Sequence, residues 1–130
     1  MFKKRINNLR EKLKETNTGV AIITDDDSIY YYTGYYDYLH MEFWRPTILI
    51  VPKDDKSLLI TPTVDMALAD ENTKIDRLEA WNDGVGNEWR EHIPKMLNGK
   101  NKIGIELNHM PPLVRNYIDS IIDKNKIVNV

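Results

Sequence analysis

The sequence contains no cysteine, and this absence removes several kinds of chemistry at once. Without thiols the chain has no disulfide, no thiolate zinc site and no cysteine nucleophile. Serines are scarce, and none stands in the Gly-x-Ser-x-Gly motif of a nucleophilic hydrolase. The two glycine-rich phosphate-binding motifs, Gly-x-x-x-x-Gly-Lys-Ser/Thr and Gly-x-Gly-x-x-Gly, are missing as well. We therefore expect no nucleophilic hydrolysis within this chain.

The chain also lacks a strong charge bias and a long apolar run. Its 18 basic and 20 acidic residues give a net charge of −2, which provides no general attraction to nucleic acid or to an anionic membrane. No stretch approaches the roughly 18 apolar residues of a membrane span, and no apolar run follows the basic start Met-Phe-Lys-Lys-Arg. We expect a cytoplasmic protein without nucleic-acid or membrane partners, forming a single domain over residues 1–130.

Helical and extended patterns alternate along the chain. An amphipathic stripe over residues 2–16 predicts a helix, and the apolar run 20–23 predicts a strand covered on both faces. The aspartates at 25–27 can cap a short helix that Gly34 closes in a left-handed conformation. Further strands are expected near 47–51, 57–60, 75–81, 103–105 and 127–130, and further helices from near 63, 87 and 111. This order predicts an α/β fold with a mixed β-sheet of about five or six strands flanked by helices.

Aromatic residues are concentrated in one segment. Eight of the twelve lie between Ile29 and Arg45, and six of the seven tyrosines are among them. An ordinary core distributes its large rings over many elements, and each buried tyrosine needs a partner for its hydroxyl. So many amphipathic rings in one segment predict a surface that another subunit, another domain or a ligand covers.

Arg45 is the charged residue of most interest in that segment. A guanidinium group binds a carboxylate through two parallel hydrogen bonds, and aromatic neighbours such as Phe43 and Trp44 stack on it and exclude water. An intramolecular ion pair with Asp37 or Glu42 is the simpler interpretation, and the residues alone favour it because such surface pairs are common.

Other polar clusters give weaker signals. His40 and Glu42 would share a face of an extended segment, yet one histidine and one carboxylate fall short of the three or four ligands of a metal site. A small enzyme built on them and Arg45 would lack an orienting partner. The aspartates at 25–27 lack the spacing of a calcium loop and are read as cap and turn residues. No metal site is therefore expected in this chain.

Five blocks of sequence together resemble the N-terminal domain of the creatinase, prolidase and aminopeptidase P superfamily. These blocks are Leu9-Arg10-Glu11-Lys12-Leu13, Gly19-Val20-Ala21-Ile22-Ile23-Thr24, Ile29-Tyr30-Tyr31-Tyr32-Thr33-Gly34, Phe43-Trp44-Arg45-Pro46 and Ile103-Gly104-Ile105-Glu106. The similarity runs over nearly the whole chain, and the Phe-x-Arg-Pro block looks closest to the creatinase branch.

The resemblance implies a non-catalytic domain of a larger hydrolase. In that superfamily a second, pita-bread domain carries catalysis and, in the peptidases, two divalent metals, so no cofactor is expected within residues 1–130 and the catalytic domain would lie outside this chain. It also implies a homodimer in which Phe43 and Arg45 line the neighbouring subunit's pocket. Arg45 would meet the carboxylate of a small-molecule or dipeptide substrate. Trp44 stands where creatinase has glycine, which puts creatine itself in doubt.

A second hypothesis remains open beside this one. The chain could be a free-standing protein-binding or assembly module that uses the aromatic patch at 30–45, since large apolar patches on soluble proteins usually mark contacts.

Overall fold

A computed structural model describes residues 2–35, 47–62, 76–81 and 88–130 of the chain. Its strands are β1 (Val20–Ile23), β2 (Ile48–Pro52), β3 (Leu58–Pro62), β4 (Arg77–Trp81), β5 (Ile103–Ile105) and β6 (Ile127–Asn129). Its α-helices are α1 (Phe2–Glu15), α2 (Asp26–Thr33), α3 (Ile93–Leu97) and α4 (Pro112–Ile121). Two 3₁₀ helices cover Glu88–His92 and Lys124–Lys126. Within the described ranges, every helix is too short or too polar to span a bilayer.

The strands form one mixed sheet in the order β4-β3-β2-β1-β5-β6. The hairpin of β2 and β3 is antiparallel, and β2 also pairs antiparallel with β1. The pairs β1–β5, β3–β4 and β5–β6 are parallel. The predicted α/β fold with a mixed sheet of five or six strands is confirmed.

Both faces of the sheet are covered, which explains the unbroken apolar run of β1. Val20 and Ile22 point to one face, which the 3₁₀ helix Glu88–His92, α3 and α4 cover. Ala21 and Ile23 point to the other face, which α1 and α2 cover. From α1 the buried side chains are Ile6, Leu9 and Leu13, the stripe expected from the sequence. A strand buried on both sides has no polar face, as the sequence predicted.

Several boundaries differ from the sequence-based expectation. Within the described residues the fourth strand begins at Arg77, and the helix expected from residue 63 lies outside them. The helix expected from near residue 87 opens as a 3₁₀ helix, and α3 begins only at Ile93, so that Pro94 occupies its first turn. Proline is tolerated there because a first-turn N–H has no partner within the helix.

Candidate functional site

Phe43 and Arg45, the two residues predicted to bind substrate, lie outside the described residues. Three further candidates of that segment also lie outside them: His40, Glu42 and Trp44. The residues on either side are described. Tyr35 is 0% exposed and Thr47 is 6% exposed, so both are buried in the body of the domain. The chain therefore enters and leaves this segment at two buried positions.

A carboxylate holds the start of α2 in place. Because β1 and β5 are parallel neighbours, their carboxyl ends meet at one edge of the sheet. Glu106 directly follows β5, and its Oε1 accepts hydrogen bonds from the backbone N–H groups of Thr24 and Asp25, each at 3.0 Å. Its Oε2 accepts a third from the hydroxyl of Ser28 at 2.7 Å. One side chain therefore connects β5, the end of β1 and the first turn of α2.

Asp25 caps α2, as the sequence predicted. Its backbone is extended, and its Oδ2 accepts a hydrogen bond from the backbone N–H of Ser28 at 3.2 Å. The Ser28 hydroxyl lies 3.2 Å from the same oxygen but closer to Glu106, so its one proton goes chiefly to Glu106. His109 Nδ1 lies 3.8 Å from Asp25 Oδ1. In the described part of the chain no group of three or more histidine, aspartate or glutamate residues could hold a metal ion.

The aromatic segment divides into an inward and an outward set. Ile29 and Tyr35 are buried among the side chains of α1 and the sheet, and Tyr32 packs against the same cluster. Tyr30 and Tyr31 face outward and are 52% and 49% exposed. Gly34 ends α2 at φ +80° and donates its N–H to the carbonyl of Tyr30, in the predicted left-handed conformation. The described tyrosines are therefore partly core and partly surface.

Arg5 of α1 joins the exposed tyrosines to a second element. Its guanidinium carbon lies 4.2 Å from the ring centroid of Tyr31 and 5.3 Å from that of Phe2. Its NH1 donates a 2.8 Å hydrogen bond to the carbonyl of Tyr31, near the negative C-terminal end of α2. We call the surface formed by Phe2, Arg5, Tyr30 and Tyr31 the α1–α2 surface.

The ring of Tyr32 contacts that of Tyr31 edge to face, with 5.0 Å between their centroids. Burial, together with the nearby Tyr31 and the Glu106 carboxylate, raises the pKa of Tyr32 above its ordinary value of 10.0. Its hydroxyl therefore keeps its proton at neutral pH and does not act as a base.

The described network is built for positioning. Both oxygens of Glu106 and one oxygen of Asp25 already accept hydrogen bonds from neighbouring donors. A carboxylate occupied in this way holds the backbone in position, whereas a general base must reach the proton of a substrate. We call the hydrogen bonds from Thr24, Asp25 and Ser28 to Glu106 the Glu106 brace. In the part of the chain that the structure describes, the arrangement fixes α2 and so fixes the position of Tyr35.

Sequence reasoning missed the roles of Glu106 and Arg5. Glu106 stands at the end of the block Ile103-Gly104-Ile105-Glu106. A carboxylate directly after a strand is the signal for its role, because β5 pairs in parallel with β1. Arg5 carried no signal beyond its place on the polar face of a helix.

The fold is that of an N-terminal domain of the creatinase and prolidase type. The sequence profile of the Creatinase/Prolidase N-terminal domain matches residues 5–130, and the chain belongs to this family. No protein with a curated description matches the sequence significantly.

Solved structures share this fold at low sequence identity. The N-terminal domain of an X-Pro dipeptidase from Streptococcus pyogenes is 21% identical with a TM-score of 0.81, covering 98% of this chain and 93% of that one. The prolidase from Pyrococcus horikoshii is 16% identical with a TM-score of 0.76, covering 98% of this chain and 32% of that one. The prolidase from Thermococcus sibiricus is 20% identical with a TM-score of 0.76, covering 100% and 34%. This chain therefore spans about a third of those two prolidases.

Proposed function

We propose that this chain is the non-catalytic N-terminal domain of a cytoplasmic hydrolase of the Xaa-Pro dipeptidase or creatinase type. Its role is to contribute to a homodimer and to the substrate pocket of the neighbouring subunit. Catalysis, and any pair of divalent metals, belongs to a catalytic domain outside residues 1–130. The family membership and the similarity to the X-Pro dipeptidase domain from Streptococcus pyogenes support this class of parent protein.

The α1–α2 surface is the observation that carries the proposal. Tyr30 and Tyr31 keep about half of their surface exposed, although a buried Tyr35 follows only a few residues later. Tyrosine and arginine are enriched among the residues that dominate binding energy at protein interfaces. Here Arg5 stacks on Tyr31 and holds that ring in one orientation. Such a rigid aromatic surface suits contact with another subunit or domain.

The braced position of α2 supports a role for the segment that follows it. A pocket residue must be held within a fraction of an ångström of its working position, so it needs rigid supports on both sides. The Glu106 brace, the buried Tyr35 and the buried Thr47 supply such supports. Within that segment Arg45 would bind the substrate carboxylate through two parallel hydrogen bonds, and Phe43 would exclude water from it.

Replacing Arg45 in the full-length parent tests this role. We expect Arg45→Ala to lower kcat/KM by about 10- to 100-fold, because hydrogen bonds to charged groups contribute about 1.5–3 kcal/mol. Arg115→Ala is the matched control, since that arginine pairs with Asp119 on α4 at 2.9 Å. Far-UV circular dichroism should be unchanged in both variants. An Arg45→Ala enzyme with the kinetics of wild type would refute the assignment.

The second candidate, a free-standing binding module that uses the aromatic patch at 30–45, draws on the same α1–α2 surface. The coding region downstream of Val130 separates the two. An open frame that encodes a catalytic domain favours the hydrolase. A stop codon directly after Val130 favours the module.

A further inference from the structure

Arg90 has two aromatic partners on the face of the sheet opposite α1 and α2. Its guanidinium carbon lies 5.2 Å from the ring centroid of Trp89 and 5.0 Å from that of Tyr117. The two rings contact each other edge to face, with 5.7 Å between their centroids. These contacts hold the guanidinium group against the two rings, and no carboxylate of the described residues forms an ion pair with it.

The other arginines of the described ranges each donate at least one hydrogen bond. Arg10 donates to the carbonyls of Pro52 and Asp55, and Arg115 pairs with Asp119. Arg5 and Arg77 each donate a hydrogen bond as well, to the Tyr31 carbonyl and the Met96 sulfur. Within the described part of the chain Arg90 donates no hydrogen bond, and its Nε is buried.

A second unpaired donor adjoins Arg90 in sequence. The indole Nε1 of Trp89 is buried and has no hydrogen-bond partner among the described residues, and the Trp89 side chain is completely buried in the core. Buried polar groups in native proteins are nearly always paired, so each exception needs an explanation. Indole and guanidinium groups can only donate hydrogen bonds, and therefore both require an acceptor.

We propose that Arg90, held by Trp89 and Tyr117, is a carboxylate-binding residue. The planar guanidinium fork matches the two oxygens of a carboxylate, and its single charge matches the single negative charge of that group. A phosphate carries more charge and is usually met by a cluster of cations. The carboxylate can belong to a small molecule or to an acidic side chain of a second copy of the chain, and the chemistry of recognition is the same.

An NMR titration of the ¹⁵N-labelled chain tests this assignment. The signals to follow are the Nε–H of Arg90 and the indole N–H of Trp89, with sodium acetate as the probe and sodium chloride at equal ionic strength as the control. We expect a saturable shift of the Arg90 signal with acetate alone. The Nε–H of Arg115 is the internal reference, since Asp119 already occupies it. Arg90→Lys keeps the charge but loses the fork, and should abolish any acetate-specific shift of the Trp89 signal.

The outcomes separate the two sources of the carboxylate. A saturable acetate shift that does not depend on protein concentration supports a small-molecule ligand. Signals that move with protein concentration, and that acetate moves back, support an acidic side chain of a second copy. Equal shifts with chloride, an equal response of Arg115, or a stronger response to phosphate would overturn the proposal. If Arg90→Lys loses its wild-type near-UV circular dichroism, the titration of the wild-type chain decides alone.

Discussion

Replacing Glu106 with alanine removes the acceptor that three donors share at the carboxyl ends of β1 and β5. The N–H groups of Thr24 and Asp25 and the hydroxyl of Ser28 all lose their partner. The backbone donors of a chain turning from a strand into a helix have no other acceptor within the elements themselves. The substitution therefore loosens the start of α2 and exposes these donors to water.

The magnitude follows from the number of bonds and their burial. Hydrogen bonds to charged groups contribute about 1.5–3 kcal/mol each. These three are only partly buried, so water recovers part of the loss. We expect Glu106→Ala to lower the free energy of unfolding by about 2–4 kcal/mol. Glu106→Gln should cost about 1–2 kcal/mol, because its amide oxygen still accepts from the two N–H groups without the charge.

Urea unfolding followed by circular dichroism measures the effect. With a slope of about 2 kcal/mol/M, the midpoint of Glu106→Ala should fall by about 1–2 M. Glu91→Ala is the control, since Glu91 is exposed on the 3₁₀ helix and its loss should change stability by less than about 0.5 kcal/mol. A midpoint for Glu106→Ala as close to wild type as that of Glu91→Ala would refute the brace.

Two further predictions concern other positions. A hydrogen bond from the backbone N–H of Ser57 is the main cause of a pKa of Asp76 below its ordinary value of 3.8. The ionised Asp76 carboxylate therefore stabilises the fold fully above pH 3.8, and this contribution is lost as the pH falls through the lower pKa of the folded state. In urea, Asp76→Asn should therefore lose more stability at about pH 6 than at about pH 3, and an equal loss at both would contradict this. Because Gly34 has φ +80°, Gly34→Ala should lower the free energy of unfolding by about 1 kcal/mol in thermal unfolding, and Gly34→Asn should lower it less. A Gly34→Ala protein as stable as wild type would contradict the left-handed cap.

The sequence predicted the layers of the fold because their signals are local. A short apolar run such as that of β1 is typical of a strand covered on both faces, and the loop between β2 and β3 carries its own turn residues. The cap by Asp25 and the left-handed Gly34 are likewise decided within one turn of helix.

Features that depend on packing could not be predicted in the same way. The sequence of α4 predicts a buried stripe of Leu113, Tyr117, Ile118 and Ile121. The structure buries Ile118 as expected, but it also buries Val114 and leaves Ile121 39% exposed. Tertiary contacts decide which part of the apolar side of α4 is buried, and a single helix does not contain that information.

The contacts of the candidate site also depend on packing and could not be predicted from local sequence. The partner of Glu106 is Thr24, 82 residues away in the chain, and only the register of β1 against β5 brings them together. Arg90 stacks on Tyr117 across two elements in the same way. The roles of Phe43 and Arg45 come from resemblance, and both residues lie outside the described ranges, so those roles stay predictions.

Mixing two impaired forms of the parent protein tests the central claim most directly. One form carries Arg45→Ala with an intact catalytic domain, and the other carries an intact Arg45 with an inactivated catalytic domain. If Arg45 serves the neighbouring subunit, each mixed dimer contains one complete pocket, and random pairing should restore about a quarter of the wild-type activity. A mixture no more active than the two forms measured separately would contradict a pocket shared between subunits.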